Sequence, residues 1–484
     1  MFVNVIFVIS VMLLLSIFAS RLSERYGIPS LLLFLGLGML AGSDGPGGIY
    51  FDDSLLASRI SAISLSYILF SGALETRWTS VKTVLARGLL LSTAGVLMTA
   101  AATAVFAYYV LHFSLQLSLL LGAIVSSTDA AAVFSILRSK SVGLAGELKP
   151  LLEFESGSND PMAVIMTLTL VTAFAESTLS LPRVLGEFCV QIIAGGAVGL
   201  CMGKISVMLL RTVRLDYEGL YPVLTISLVM LIYSFTEIIQ GNGYLAVYFA
   251  GLMIGNSEFV YKRSLVRFHD GLAWMMQIVM FLMLGLLVFP SRLPAVTADG
   301  LAISVFLIFI SRPLAVLVCL IKSRFTYRQR LLAAWAGLRG SVAVVLATFP
   351  MIAGIGGSER IFNIVFFVVL TSMIVQGKFL IPMAKLLGVY VPMKRKTRYP
   401  LEFERTADME SETREYEISA QSPAAGMKIL NMNLPGETLV LLVRRDNKFI
   451  VPRGQTVIKP YDTLLVMATD GNFRVIDQLL NDEK

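Results

Sequence analysis

Apolar stretches long enough to cross a bilayer recur along this chain as far as residue 389. Thirteen are read, at 2–20, 29–43, 54–74, 86–111, 115–137, 150–175, 184–210, 219–239, 243–256, 271–290, 299–321, 330–351 and 361–389. Backbone N–H and C=O groups find no water in hydrocarbon, so runs of this kind must fold as helices. Composition agrees: of 484 residues, 56% are hydrophobic and 15% charged, against about 25% charged in soluble domains. The expectation is an all-α polytopic membrane protein, which excludes a soluble enzyme, a disordered chain and a secreted scaffold. The run at 2–20 has no small-residue cleavage site after it and is read as a helix, not a signal peptide.

Charge along the loops gives the topology. Alternate loops are basic: Arg21 and Arg25; Arg77, Lys82 and Arg87; Arg138, Lys140 and Lys149; Arg211 and Arg214; Lys262, Arg263 and Arg267; Lys322, Arg324, Arg328 and Arg330. The remaining loops hold Arg183, Arg292 and Arg360. Positive loops stay in the cytoplasm, so the N-terminus is expected outside and the C-terminus inside. The formal net charge of +7 falls in the membrane part, because residues 391–484 carry equal numbers of acids and bases. That is an orientation signal and not a nucleic-acid footprint. Two histidines and three cysteines, Cys189, Cys201 and Cys319, offer no metal-site spacing.

Past the last run the pattern changes. The expected domains are a transmembrane part at 1–390, a linker at 391–414 and a cytoplasmic α/β domain at 415–484. The linker opens with basic residues at 394–398, a topology anchor that also suits anionic lipid headgroups, and continues acidic. Beyond it, period-two alternation predicts strands at 415–420, 437–444, 448–451 and 463–468. Asp446-Asn447 supplies a hairpin turn, and short helices are expected at 424–431 and 473–480.

Ionisable residues inside spans are functional candidates by default. Asp129, Glu155, Asp160 and Arg339 stand out; Glu153, Glu237, Arg59, Arg312, Lys204 and Lys378 are read as nearer to helix ends and snorkelling. The sixth run carries Glu155-Ser156-Gly157-Ser158-Asn159-Asp160-Pro161. Ser156 and Asp160 are four apart, as are Glu155 and Asn159, so they share a broad helix face. Pro161 has no N–H for the carbonyl of Gly157, which is left as a further oxygen. Carboxylate, hydroxyl and carbonyl oxygens suit an alkali cation better than a transition metal. The fifth run contains Ser126-Ser127-Thr128-Asp129, and the twelfth Gly337-Leu338-Arg339-Gly340. Polar and glycine residues there predict two interrupted helices of opposite direction, as in inverted repeats with a midplane site. Arg339 needs a buried anion, and Glu155 is the expected partner.

Thr128-Asp129, Glu155-Ser156-x-x-Asn159-Asp160 and Gly337-x-Arg339-Gly340, together with Gly38-Met39-Leu40-Ala41-Gly42, resemble the monovalent cation:proton antiporters of the NhaP-like branch. The resemblance covers about 390 residues. It implies an NhaA-like inverted-repeat fold, a homodimer, and a core domain rocking against a dimerisation domain. It implies that Asp160 binds cation and proton in turn, with Ser156, Thr128 and Asp129 completing the site, and that Glu155 pairs with Arg339 beside it. Asn159, where electrogenic relatives have a second acid, implies electroneutral exchange. Where such proteins often carry an acid in the third helix, this chain has Phe70-Ser71-Gly72-Ala73-Leu74. Residues 422–480 resemble a TrkA-C domain, including Ile450-Val451-Pro452-Arg453-Gly454 and Pro460-Tyr461-Asp462. No GxGxxG precedes it, so the nucleotide-binding Rossmann half is missing, although a small nucleotide remains a possible ligand of the tail.

The expected activity is therefore a secondary transporter of a bacterial inner membrane exchanging K+, or alternatively Na+, for H+, with no cofactor and a ligand-sensing tail. A cation channel gated by the tail would need a TVGYG-like filter, which is absent. An intramembrane protease using Asp129 and Asp160 lacks a further water-activating motif, and a non-transporting sensor has no use for the polar core.

Overall fold

The computed structural model describes residues 2–26, 29–140, 142–175, 181–213, 215, 217–259, 261–392, 411–419, 421–446 and 448–480. The basic cluster at 394–398, most of the expected linker and Asn447 lie outside these. The chain divides into two compact units, a helical one of 1–258 and 264–396 and a smaller one of 397–484 together with the short segment 259–263.

The helical unit runs as α1 (Phe2–Tyr26), α2 (Ser30–Ala41), α3 (Ser54–Glu75), α4 (Leu85–Tyr109), α5 (Leu115–Ile124), α6 (Ala130–Ser139), α7 (Leu148–Ala175), α8 (Leu181–Thr212), α9 (Leu220–Ile238), α10 (Gly243–Gly255), α11 (Lys262–Leu287), α12 (Pro290–Cys319), α13 (Tyr327–Trp335), α14 (Ser341–Ile352) and α15 (Ser358–Leu386). Among the described residues, seven helices are long and apolar enough to cross a membrane, namely α3, α4, α8, α9, α11, α12 and α15. The unit is a multi-pass membrane protein, mostly helical.

Helix starts are written locally. Asp53, Ser114 and Asn242 cap α3, α5 and α10 by accepting from the N–H three residues on, and Thr326 with Gln329 forms a capping box at α13. Two interior interruptions matter most. The fifth apolar run is helical as α5 and again as α6, with 125–129 non-helical between them. The twelfth is helical as α13 and α14, broken at 336–340. Helices α4 and α12 each contain a π-turn, at Leu91–Gly95 and Leu307–Ser311. The two helices pack together, Ser311 donating to the Thr99 carbonyl at 3.1 Å. Outside this bundle, α10 packs along α3 and α8. A two-stranded antiparallel ladder, β1 (Val142–Leu144) against β2 (Tyr390–Pro392), ties the end of α15 back beside α6.

The C-terminal unit is a four-stranded antiparallel sheet of β3 (Ser411–Glu417), β4 (Leu439–Arg445), β5 (Lys448–Ile450) and β6 (Thr463–Thr469), in the order β3-β6-β4-β5, with helix α16 (Asp470–Leu480). Its core gathers Tyr416, Ile418, Val443, Leu464, Val466, Phe473 and Ile476. Strand β3 starts inside the expected linker. The helix expected at 424–431 does not form: Gly426 sits at φ +88°, and only Ile429–Asn431 makes a 3-10 turn.

Candidate ion-binding site

The two helix breaks cross each other. At the crossing the Asp129 N–H donates to the Leu338 carbonyl at 2.8 Å. A Cβ on Gly340 would lie 2.3 Å from Asp129 Oδ2, so only glycine allows this approach. Asp129 is the N-cap of α6 and accepts from Ala132 N–H at 3.1 Å. Its carboxylate thus sits at the start of α6 and against the residue that begins α14.

Helix α7 runs unbroken through Pro161 past the crossing and bolts the first break in place. Ser156 Oγ donates to the Thr128 carbonyl at 2.8 Å and accepts from Ala130 N–H at 2.9 Å. Asn159 Nδ2 donates to Thr128 Oγ1 at 2.6 Å, and its Oδ1 accepts from Thr128 N–H at 3.4 Å. A side-chain amide donates and accepts at once, so Asn159 holds both the hydroxyl and the N–H of Thr128 and acts as a clamp on non-helical backbone.

Asp129, Ser156 and Asp160 line one cavity of about 580 Å³. When both are ionised, the charges of Asp129 and Asp160 repel each other there. Thr128 does not line this cavity; its hydroxyl is turned to Asn159. The cavity continues past Ala131, Phe134 and Tyr248 to Glu75, Glu153, Arg77, Arg138 and Lys149. Glu75 stands one helical turn beyond Ser71, on the same face, so α3 does offer a carboxylate to the cavity's outer part.

The expected Glu155–Arg339 pair is not what the structure forms. Glu155 Oε1 meets Arg312 Nη2 at 2.6 Å, with the two side chains 1% and 2% exposed. Arg312 follows the π-turn of α12, whose extra residue turns it inward. It stands in the middle of the run at 299–321, and that position was the signal against snorkelling. Arg339 is fully buried and does other work: Nη1 donates to the carbonyls of Ser126 at 2.9 Å and Ser127 at 2.5 Å, at the C-terminal end of α5. A cation there complements the negative end of the α5 dipole. The Arg339 N–H donates to Ser372 Oγ, and Ser372 and Gln376 on α15 continue the chain of bonds to the Trp335 carbonyl. Ser372 and Gln376 were legible only as a four-apart polar pair inside an apolar run.

Comparisons with known proteins converge on one family. The model for sodium/hydrogen exchanger transmembrane domains matches residues 9–386, and that for TrkA-C domains matches 413–481. A K(+)/H(+) antiporter NhaP of Alkalimonas amylolytica is 41% identical, over 96% of this chain and 80% of that protein. A K(+)/H(+) antiporter NhaP2 of Shewanella sp. (strain ANA-3) is 38% identical, over 99% and 84%. The sodium proton antiporter MjNhaP1 of Methanocaldococcus jannaschii, solved at pH 8, superposes with a TM-score of 0.68 at 25% identity, covering 78% of this chain and 99% of that one.

Proposed function

Because the chain belongs to the sodium/hydrogen exchanger family, whose members are secondary transporters performing cation/proton antiport and not enzymes, we propose that it exchanges K+ for H+ by alternating access. The observation that carries the reading is the convergence of Asp129, Ser156 and Asp160 on one cavity at the crossing of two broken helices. Potassium is favoured over sodium because the relatives matched along nearly the whole chain are named for it.

The coupling follows from electrostatics. An ionised Asp160 is too costly to carry through low-dielectric surroundings alone. It crosses neutralised by a proton or by a cation, and the two compete. With Asn159 engaged as a clamp, one exchangeable carboxylate supports electroneutral, one-for-one exchange. Asp160 and Asp129 supply the ionic oxygens and Ser156 a hydroxyl; Thr128, Asn159 and Arg339 hold the non-helical backbone, and Glu155 with Arg312 holds α7 to α12.

Thirteen spans, with α5–α6 and α13–α14 as the interrupted pair of an inverted repeat, account for the alternation of basic loops. Arg77, Arg138 and Lys149, which that alternation places in the cytoplasm, line the outer part of the cavity. This supports an inward-facing form, an outside N-terminus and a cytoplasmic tail in a bacterial inner membrane. The protein works as a homodimer among membrane lipids, with the TrkA-C tail regulating exchange on binding a small ligand such as a nucleotide.

The test is cation-induced proton movement in vesicles holding the purified protein. Potassium should drive larger signals than sodium at equal concentration, and Asp160→Asn should abolish both while leaving the protein folded. Exchange by purified Asp160→Asn, or a preference for sodium, would overturn the corresponding part of the reading.

A further inference from the structure

Tyr248 is a buried polar group that the site described so far does not use. It stands on α10, a helix packed along α3 and α8, and reaches across to α7. Its ring lies on Gly157: a Cβ there would fall 2.5 Å from Cε2 and 2.9 Å from Oη. Gly157 is the residue after Ser156 and three before Asp160, and Tyr248 lines the same cavity as both. The side chain is 2% exposed. Ser158 flanks the hydroxyl, yet Oη has no hydrogen-bond partner of normal geometry among the described residues.

A buried hydroxyl normally finds a partner. Here glycine at 157 leaves room for the hydroxyl-bearing edge of the ring, which any larger residue would displace. The charge of Asp160 reaches the phenol. No described residue meets Oη in normal hydrogen-bond geometry, and the cavity that Tyr248 lines has room for an occupant. We propose that Tyr248 is a specificity-determining residue of the ion site, its Oη being the oxygen that α10 contributes to the bound cation opposite Asp160. Deepening the antiport reading and resting on it, this makes the site complete only when the α10 layer and α7 are together. It also gives a neutral, rigidly placed oxygen a part in discriminating cations by size.

Tyr248→Phe removes one oxygen and keeps the ring on Gly157. In vesicle exchange, KM for potassium should rise about tenfold, equivalent to about 1.4 kcal/mol of binding, with maximal rate within about twofold of the parent. KM does not depend on how much folded protein is reconstituted, so partial loss of yield does not blur the result. The preference for potassium over sodium should shrink, and thermal stabilisation of the purified protein by potassium should weaken in step. Gly157→Ala, which must shift the ring, should raise KM similarly, and the double variant should be no worse than either single one. An unchanged KM in Tyr248→Phe, whatever its maximal rate, overturns the proposal, as does a raised KM with full potassium stabilisation. Asp160→Asn run in parallel separates the two levels: if it is inactive and Tyr248→Phe is normal, Tyr248 alone is misassigned. If Asp160→Asn still exchanges, the ion site itself is.

Discussion

Neutralising Glu155 leaves two guanidinium groups in the helix bundle with no ionic partner at the site Glu155 occupied. Arg312 is 2% exposed and its carboxylate oxygen is 2.6 Å away. Removing one member of a buried pair costs about 3–5 kcal/mol, mostly from the charge left behind. Glu155→Gln should therefore reduce the ratio of folded to unfolded protein by about two to nearly four orders of magnitude under equal conditions. Thermal denaturation in detergent and the yield of monodisperse protein measure this. The structure also says which second change rescues it. Glu155→Gln with Arg312→Met removes both charges and fills the volume with a flexible apolar chain. It should recover about half of the loss or more. Glu155→Gln with Arg339→Met should recover nothing and should fall further, because Arg339 holds the Ser126 and Ser127 carbonyls. The coupling energy from the two cycles is the decisive quantity. Stronger coupling of Glu155 to Arg339 than to Arg312 would refute the pairing seen here.

Gly340→Ala places a Cβ 2.3 Å from Asp129 Oδ2 at a point fixed by backbone bonding, so overpacking should cost about 1–3 kcal/mol and at least tenfold in exchange rate; a normal rate in vesicles would show that the crossing has slack. In the tail, burial pushes the Asp462 carboxyl up, but bonds from Arg445 Nε and Nη2 at 2.9 and 2.7 Å and from Lys459 N–H at 2.8 Å outweigh it and hold the group below the usual carboxylate range. A depressed carboxylate stabilises the fold above its unfolded value of about 3.9, and that contribution is lost as pH falls through the lower folded value. Asp462→Asn should thus lower hydrogen-exchange protection of β4 and β6 near neutral pH and flatten its acid dependence, whereas an unchanged profile would remove Asp462 from the tail's stability.

Much of the site was legible because membrane interiors make polar residues conspicuous. Ser126-Ser127-Thr128-Asp129 and Gly337-Leu338-Arg339-Gly340 could not continue an apolar helix quietly, and both mark the breaks. Asp129, Ser156 and Asp160 follow from the same reasoning, and the structure puts all three on one cavity. The ion pairing was not legible. Which arginine meets Glu155 depends on the rotation of α12, and a π-turn changes that rotation by one residue without any sequence mark. Tyr248 was hidden for the opposite reason. Aromatic residues are ordinary in apolar spans, and only the three-dimensional placing of its hydroxyl over Gly157 sets it apart. In the tail, alternation located the strands, but a single left-handed glycine, Gly426, cancelled a helix that composition allowed.

The fixed charges around the crossing also bear on why Asp160, and not Asp129, is the proposed carrier. Asp129 caps α6 and lies against the start of α14, so two positive dipole ends compensate its charge in place. Arg339 answers the negative end of α5, and Arg312 answers Glu155. Each of these charges is matched by a partner within the protein. Asp160 shares the cavity with Asp129, whose charge repels its own, and no cationic side chain among the described residues pairs with it. Its neutralising charge must therefore arrive from outside and leave again. A proton and an alkali cation are the two small charges that fit the oxygens present, and only one is needed at a time. On this reasoning the surrounding pairs serve to remove every other unbalanced charge from the moving part, so that the barrier depends on the occupancy of one carboxylate.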